Sequence, residues 1–176
     1  MNSEVRYVIR SANRADAIAL AKLAETTFRE TFGSLNHHED MELHCRKSYG
    51  EAIQAAEIEA RDRTTIVSEA EGELVGFGQL DWGTPPACIA LAGVAEIQRL
   101  YVERRWHGRG VAQGLMESLI GAAAHHGASA IWLGVWERNS RALAFYQKSG
   151  FVEVGVHSFL LGKDPQRDLV LIRRMP

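Results

Sequence analysis

A glycine-rich turn is the part of the sequence whose residue types and spacing most clearly indicate chemistry. The segment 100–112 reads LYVERRWHGRGVA and places Gly108 and Gly110 directly before an amphipathic stretch that begins at Val111. Glycines in such a turn let backbone N–H groups converge, and the N-terminus of a helix adds about half a positive charge. Three neighbouring side chains add more: Arg104, Arg105 and Arg109. The turn therefore predicts a site for phosphate oxygens, which bind at such places without a dedicated side chain.

Two common phosphate motifs do not fit this turn. The dinucleotide fingerprint needs a glycine or alanine at position 113, where this chain has Gln113, and it needs an acidic residue about 20 positions on. The nucleoside-triphosphate loop needs Gly-Lys-Ser/Thr, and no lysine follows Gly110. The pattern that is present is Arg105-x-x-Gly108-x-Gly110 with the small residue Ala112 after it. Taken alone, the two glycines also fit an ordinary tight turn with solvated arginines.

The elements on either side of the turn follow from hydrophobic periodicity. The alternating sequence EIQRLYV at 96–102 predicts a half-buried strand, and apolar residues at helical spacing predict a helix over 111–126. A strand over 130–136 follows. Such a strand–helix–strand unit is expected to be parallel and right-handed. Asn139 then predicts the N-cap of a helix to Ser149, which Gly150 ends.

The remaining elements are shorter and alternate less regularly. Strands are predicted over 5–10, 64–70, 73–82, 151–156 and 169–174, the last two joined by a polar loop with Asp164-Pro165, and helices over 13–31, from Asn36 onward and over 51–61. Asn13 with Asp16, and Asn36 with Glu39, are the expected N-cap pairs. The order predicts a mixed α/β fold whose sheet is mostly antiparallel and contains one parallel crossover. No assignment follows for the apolar segment 87–95.

Composition limits the class of protein. The chain has 176 residues, 46% hydrophobic and 24% charged, with a formal net charge of −2. This length fits one domain over residues 1–176, and the charge argues against nucleic-acid binding. The apolar run 87–95 is too short to span a bilayer, and the two cysteines have no CxxC spacing. We therefore expect a cytoplasmic protein without a membrane partner.

The motif and its context resemble the Gcn5-related N-acetyltransferases, the GNAT superfamily. In that family the pattern Arg/Gln-x-x-Gly-x-Gly/Ala follows a central strand and holds the pyrophosphate of coenzyme A. A second block, IWLGVWERNSRALAFYQKSGFVEVG at 131–155, contains a strand, an Asn, a helix with an aromatic pair and Gly-Phe in the family's order. Together the two blocks cover 96–155. Within the family, TFRETFGSLN at 27–36, QRLYV at 98–102 and WLGVWE at 132–137 are most similar to spermidine/spermine acetyltransferases of the PaiA type.

The resemblance implies a role for each matching residue. The expected coenzyme A contacts are Leu100, Tyr101, Val102, Arg105, Trp106, His107, Gly108, Arg109, Gly110, Val111, Ala112 and Asn139. Leu100 and Val102 would offer backbone groups to the pantetheine arm, and the Val102 N–H would stabilise the oxyanion. Asn139 would bind pantetheine or a water in addition to capping its helix.

Two further residues would move protons. Tyr146 matches the family position that protonates the departing thiolate, and its alternative role is core packing beside Phe145. Glu96 is the general-base candidate, because six residues before Val102 an ideal strand places both side chains on one face. Its alternative role is a strand residue that pairs with Arg99.

The acceptor site is the part that the sequence predicts least well. The acidic group Glu39, Asp40 and Glu42 lies in the helical segment that flanks the acceptor in this fold, and it could receive a polyamine or be a solvated helix face. Strand-end residues are further candidates for the acceptor cleft: Asp81, Trp82 and Glu137. The residues His37, His38, His44 and Cys45 match no zinc spacing, so no metal is expected.

The expected activity is acetyl transfer from acetyl-CoA to a primary amine of a small molecule, with spermidine or spermine favoured. A protein N-terminal or lysine acetyltransferase is the alternative enzyme, and it would need an open peptide groove. A non-catalytic acyl-CoA sensor is the alternative of another class, and it would not need an acid such as Tyr146 or a base such as Glu96. The resemblance also allows a homodimer, without indicating its surface.

Overall fold

A seven-stranded sheet organises residues 6–176, which the computed structural model describes. The strands are β1 (Val8–Ser11), β2 (Arg63–Ala70), β3 (Glu73–Asp81), β4 (Val94–Val102), β5 (Ala130–Trp136), β6 (Val152–Leu161) and β7 (Asp164–Arg174). The helices are α1 (Ala17–Phe32), α2 (His38–Ser48), α3 (Glu51–Glu59), α4 (Val111–His125) and α5 (Ser140–Lys148). The spatial order is β1-β2-β3-β4-β5-β7-β6. Within residues 6–176, the β4–β5 pair is parallel and the other pairs are antiparallel, which confirms the predicted fold class.

Asparagine caps begin two of the helical segments as predicted, and a third prediction is wrong. Asn13 and Asp16 form a reciprocal capping box, with a short 3₁₀ turn before α1, and the Asn139 side chain accepts from the N–H of Ala142 at 3.2 Å. Asn36 does not cap α2: its amide donates to the carbonyl of Phe32 at 2.8 Å, and the N-cap is His37. The Asn36 side chain therefore satisfies a carbonyl at the end of α1 instead of an N–H of α2.

Helices cover both faces of the central strands. Helix α4 buries Leu115 and Leu119 against one face, whereas Phe28 of α1 packs near Phe77 and Tyr101 on the other. Adjacent strand residues point to opposite faces, so Gly78, the neighbour of Phe77, faces α4. The glycine brings the α4 side chains close to the sheet. This packing fixes the start of α4 relative to the end of β4.

The end of the chain differs most from the prediction. Instead of a polar loop, β6 and β7 form one long hairpin in which Leu160 pairs with Pro165, and the turn between the two strands is Gly162-Lys163. Gly162 has a positive φ of 60°, which suits a tight turn. The ladder between β5 and β7 ends at Asp168, so Pro165 lies where β7 has a free edge and a missing N–H costs little.

Smaller differences concern element ends. The first strand begins at Val8 and not at Val5, which lies outside the described residues. Strand β4 begins two residues before the predicted start at Glu96. In the segment without an assignment, Ile89 and Leu91 pack on Trp132 at the other end of the sheet. No helix among residues 6–176 is both long enough and apolar enough to cross a membrane.

The close approach of α4 to β3 predicts the effect of Gly78→Ala. A Cβ at Gly78 would lie 2.7 Å from Cδ1 of Leu119, which is fully buried. We expect a loss of about 1–3 kcal/mol in the free energy of unfolding, measured by denaturant titration. Gly121→Ala, in the same helix as Leu119, is the control because its Cβ would meet nothing within 4 Å. Its free energy of unfolding should rise by up to about 1 kcal/mol. Equal stability of both variants would contradict this packing.

Candidate active site

A cleft of about 970 Å³ opens between β4 and β5. It extends from the start of α4 to the β6–β7 hairpin, with α1 and α2 on one side and α5 on the other. The parallel ladder between the two strands runs from Val94 to Glu96 on β4 and from Ala130 to Trp132 on β5. Beyond these residues the strands separate. The cleft lies where the ladder between β4 and β5 is missing.

The backbone of β4 offers hydrogen-bonding groups to this gap. The N–H of Glu103 donates to the carbonyl of Val75 on β3 at 2.9 Å. In an antiparallel pair, the backbone N–H and C=O groups of alternate residues point toward and away from the neighbouring strand. The backbone groups of Tyr101 therefore face β3, whereas those of Leu100 and Val102 face the gap. The carbonyl of Val102 accepts from Nε2 of His107 at 2.8 Å, as this direction requires. The Tyr101 ring points elsewhere and stacks on Phe77 with centroids 5.8 Å apart.

The glycine turn lies at one end of the cleft. Gly108 and Gly110 have positive φ angles of 74° and 83°, a conformation that other residues rarely adopt. Gly110 is the N-cap of α4 and has no side-chain capping bond. The N–H groups of the first turn of a helix have no partner within it, and in α4 these belong to Val111, Ala112 and Gln113. The turn thus presents uncapped donors to the cleft.

The side chains of this turn have separate roles. Trp106 and Val111 are buried in the core beneath the turn, so their side chains fix its shape. Arg105 is exposed and pairs with Glu103 at 2.6 Å and Glu73 at 2.8 Å. Arg109 donates to the carbonyl of Arg105 and lies over the Trp106 ring. Since Arg105 is neutralised by two carboxylates, the backbone N–H groups are the main donors that this turn offers.

His107 and Arg141 join the turn to α5. Arg141 donates to Nδ1 of His107 at 2.6 Å, while Nε2 donates to the carbonyl of Val102. A histidine with one accepting and one donating nitrogen is neutral. Arg141 lines the cleft and is not among the site residues predicted from the sequence. Its position two residues after the predicted Asn139 cap was the available signal.

Tyr146 lies on α5 and lines the cleft together with Phe145. Its ring packs edge-on against Phe145 at 5.5 Å and Phe151 at 5.9 Å. Burial, and then the nearby Tyr101, raise the pKa of Tyr146 above its ordinary value. The phenol therefore stays protonated at neutral pH and can donate. Phe145 is half-buried in the cleft wall and not a buried core residue.

Glu96 lies on β4 opposite Asp81 of β3, and it lines the cleft. Burial, reinforced by the Asp81 charge and opposed by Arg63, raises the pKa of Glu96 to about 7. The alternative role, a pairing of Glu96 with Arg99, is not observed, because Arg99 contacts Glu57 at 2.7 Å. A carboxyl group whose pKa is near neutrality is suited to take up and release protons.

A β-bulge contradicts the expectation that Glu96 and Val102 share a face. Leu80 pairs with Ile97 and Gln79 with Arg99, so Gln98 has no partner on β3. The extra residue reverses the alternation between the two ends of β4. Glu96 therefore lies on the face of Arg99 and Tyr101, whereas Val102 packs toward α4.

The acidic group of α2 does not face the cleft. Glu42 pairs with Arg29 at 2.7 Å, and Asp40 accepts from the N–H of Lys163 at 2.7 Å. The α2 residues that line the cleft are Leu43, His44, Arg46, Lys47 and Ser48. Of the two roles left open for the three carboxylates, the structure favours a solvated helix face over an acceptor contact, because the helix presents its basic and apolar side chains to the cleft.

The strand-end candidates also lie elsewhere. Asp81 pairs with Arg63 at 3.0 Å, Glu137 pairs with Arg167 at 2.6 Å, and Trp82 packs edge-on against His126. None of the three lines the cleft. In residues 6–176 no group of three or more His, Cys, Asp or Glu side chains is placed to hold a metal ion. His44 instead stacks on Phe28 with centroids 4.3 Å apart, and burial lowers its pKa to about 4.

Comparison with known proteins identifies the family. The model of the Acetyltransferase (GNAT) family matches residues 19–151. An uncharacterised N-acetyltransferase in the pepI 3′ region of Lactobacillus delbrueckii subsp. lactis is 31% identical over 149 residues, which cover 85% of this chain and 86% of that protein. An uncharacterised N-acetyltransferase of Mycobacterium bovis is 34% identical over 113 residues, 64% of this chain and 68% of that protein.

Solved structures share the fold. The PaiA N-acetyltransferase of Thermoplasma acidophilum, crystallised with coenzyme A, superposes with a TM-score of 0.78 at 21% identity, over 97% of this chain and 99% of that one. The putative acetyltransferase YncA of Salmonella typhimurium, crystallised with acetyl-CoA, gives a TM-score of 0.75 at 18% identity, over 97% and 95%. From its sequence and its fold together, the chain belongs to the GNAT family and is an N-acetyltransferase of that type.

Proposed function

We propose that this protein transfers an acetyl group from acetyl-CoA to the primary amine of a small molecule. One observation carries the proposal: the gap between β4 and β5 places unpaired strand backbone beside an uncapped helix N-terminus. This arrangement fits an extended ligand with a pyrophosphate at one end and an amide-containing arm. Two neighbours in fold were crystallised with coenzyme A or acetyl-CoA.

The residues present fit coenzyme A. The N–H groups of Val111 and Ala112, with the turn from Arg105 to Gly110, would hold the pyrophosphate. Leu100 and Val102 would hold the pantetheine arm, and Asn139 lines the same part of the cleft. The packed side chains of Tyr101, Trp106 and Val111 would shape the wall, while the N–H of Val111 would contact the pyrophosphate.

Three groups of this chain would perform the transfer. Acetyl-CoA supplies the thioester; a C–N bond forms to the amine as the C–S bond breaks. Glu96 would accept the proton that the amine loses, directly or through water. The N–H of Val102 would donate to the oxygen that becomes negative. Tyr146 would donate its proton to the departing sulfur, and the products are the N-acetyl amine and the free thiol.

The acceptor is the finer part of this proposal. A polyamine such as spermidine was expected from the resemblance to PaiA-type enzymes, with the carboxylates of α2 as candidate contacts, and these carboxylates do not line the cleft. The acidic side chains that do line it are Glu96 and Asp168. A polyamine would therefore meet these two groups, with Arg46 and Lys47 of α2 close to the rest of its length.

Gly110→Val tests the phosphate turn. The substitution forces a branched side chain into a positive φ of 83° and places its Cβ 3.2 Å from the Tyr7 hydroxyl. We expect the affinity for coenzyme A, measured by calorimetry, to fall at least about tenfold, because the backbone donors move. Gly72→Val is the control: Gly72 has a φ of 80° in the turn between β2 and β3 and open space around it. If both variants bound coenzyme A equally well, the turn would not be the phosphate site.

Tyr146→Phe tests the acid while keeping the ring. We expect kcat to fall about 10²-fold or more when chemistry limits the rate, since general acids contribute about that much. The affinity for acetyl-CoA should stay close to that of the parent, as expected for a contact made in the transition state. Release of the free thiol gives the rate. A variant as fast as the parent would leave Tyr146 with a packing role.

The raised pKa of Glu96 predicts the pH dependence. Below a pKa of about 7 the carboxyl group is protonated and cannot accept, so kcat/KM should rise as the pH increases through 7. Above that, the rate should keep rising toward the pKa of the amine, because only a neutral amine attacks. In Glu96→Gln the inflection near 7 should disappear and the rate should fall. An inflection that persists in this variant would exclude Glu96 as its source.

A further inference from the structure

Asp168 is a buried carboxylate in the cleft that the mechanism above does not use. It lies on β7, where it pairs with Trp136 of β5 and His157 of β6. Asp168 is 7% exposed and lines the cleft. Its charge also acts on Tyr101 of β4, across the cleft. The carboxylate is therefore close to the gap in which the proposed transfer takes place.

No cation of residues 6–176 pairs with Asp168. Among these described residues, its only neighbour at ion-pair distance is Nε2 of His157 at 3.9 Å, and within the same range that nitrogen has no hydrogen-bond partner. Burial lowers the pKa of His157, so the ring is neutral at neutral pH. Burial also raises the pKa of Asp168 to about 6, which still leaves most of it ionised at pH 7. A buried, ionised carboxylate without a partner is costly, and a bound cation offsets that cost.

Because Gly134 of β5 has no side chain, it leaves room for the side chains of His157 and Asp168. A Cβ at Gly134 would lie within contact distance of both Nε2 of His157 and, at 3.3 Å, Oδ2 of Asp168. Gly134 itself lines the cleft beyond the last β4–β5 pair. The absence of a side chain thus keeps the carboxylate open to a ligand in the gap.

Aromatic side chains form the adjacent wall of the cleft. Phe32 of α1 packs edge-on against Trp136 with centroids 6.0 Å apart, and Phe28 lies 6.4 Å from Tyr101. Phe159 of β6 extends the same wall. Rings of this kind attract an ammonium group and also contact an apolar body. One carboxylate beside several rings suits a single ammonium attached to an aryl or alkyl group.

The other charges of the cleft oppose a second ammonium. Arg46, Lys47 and Arg141 line it and are exposed, and the nearby Arg99 is already paired with Glu57. Each exposed charge contributes little alone, but all have the same sign. A long polycation would therefore place its distal ammonium groups near positive charge.

We propose that Asp168 binds the ammonium group of the acceptor and that the aromatic wall binds its apolar body, so that the acceptor is an arylalkyl monoamine and not a polyamine. The proposal rests on the proposed acetyltransfer, since it names the acceptor of that reaction. Asp168 would hold the protonated amine on entry. The amine would lose one proton to water before attack, and Glu96 would accept the second proton as the C–N bond forms.

The test compares 2-phenylethylamine with spermidine in the parent and in Asp168→Asn, which keeps the size of the side chain. The parent should acetylate 2-phenylethylamine with a kcat/KM at least about tenfold above that of spermidine. In the variant the KM for 2-phenylethylamine should rise about tenfold or more, with a smaller change in kcat, because a charge-assisted contact is lost. Calorimetry should show the same loss of 2-phenylethylamine binding to the enzyme–coenzyme A complex.

Two further variants complete the design. Glu39→Gln removes an exposed carboxylate outside the cleft and should leave both amines unaffected. Phe32→Ala should raise the KM for 2-phenylethylamine and leave coenzyme A binding unchanged, which tests the wall independently of Asp168.

The outcomes separate this inference from the proposed function. If the parent bound no acetyl-CoA and acetylated no amine, the proposed function would fail. If 2-phenylethylamine were acetylated and Asp168→Asn left its KM unchanged, Asp168 would not be the anchor. A fall in kcat at constant KM would assign Asp168 to proton transfer, and a preference for spermidine would overturn the acceptor class. In the last three cases the acetyltransferase assignment would stand.

Discussion

The early end of the β4–β5 ladder is the constraint on which the site depends. A parallel pair that continued would use the backbone groups of Leu100 and Val102 within the sheet and leave nothing for a ligand. Because the pairing ends at Glu96 and Trp132, these groups face a gap. Backbone donors and acceptors need partners, and in this chain His107 supplies one of them at the Val102 carbonyl. The gap is thus a region of unsatisfied backbone that an extended amide-containing ligand fits.

The parts of the fold that sequence predicts well are those that short-range physics determines. Gly108 and Gly110 adopt the positive φ angles that the turn required, Asn139 caps α5, and Gly150 ends it with a φ of 85°. The strand–helix–strand order around the turn also follows from local periodicity. Each of these features depends on a residue and its immediate neighbours, so a single sequence is sufficient to predict them.

The site itself depends on contacts between distant segments, which the sequence did not reveal. The unpaired residue Gln98 reverses the alternation of β4, and nothing in EIQRLYV marks it as a bulge. Asp168 lies in a stretch that was expected to be a polar loop, and it faces the cleft because β6 and β7 form a long hairpin. The two faces of α2 could not be assigned either. Arg29 and the Lys163 backbone, distant in sequence, pair with its carboxylates.

Pairing also decides which charges are available for chemistry. Glu57 neutralises Arg99 and Arg63, at 2.7 and 2.9 Å, and Arg63 in turn contacts Asp81. These contacts pair the charged groups on the same face of the sheet as Glu96, and among residues 6–176 no lysine or arginine forms an ion pair with Glu96 or Asp168. The pKa of each is raised, to about 7 and about 6, chiefly because burial disfavours the charged form. Because Glu57 already pairs with Arg63 and Arg99, the neighbouring Glu96 keeps its raised pKa, and both cleft carboxylates are suited to binding and moving protons.

Burial raises the pKa of Tyr146 as well, and this bears on how a phenol can act as the acid. A free thiol has a pKa of about 8.5 and a phenol one of about 10, so full transfer from phenol to thiolate is uphill in water. The thiolate would form in the same cleft, where the loss of water also disfavours its charge and raises its pKa. The pKa values of the phenol and the thiol both rise, so the difference between them grows by less than the full rise in the pKa of Tyr146. In the proposed transfer, a hydrogen bond from the phenol to the developing thiolate would then be favourable before the proton has moved, and it would stabilise the charge at the moment the C–S bond breaks.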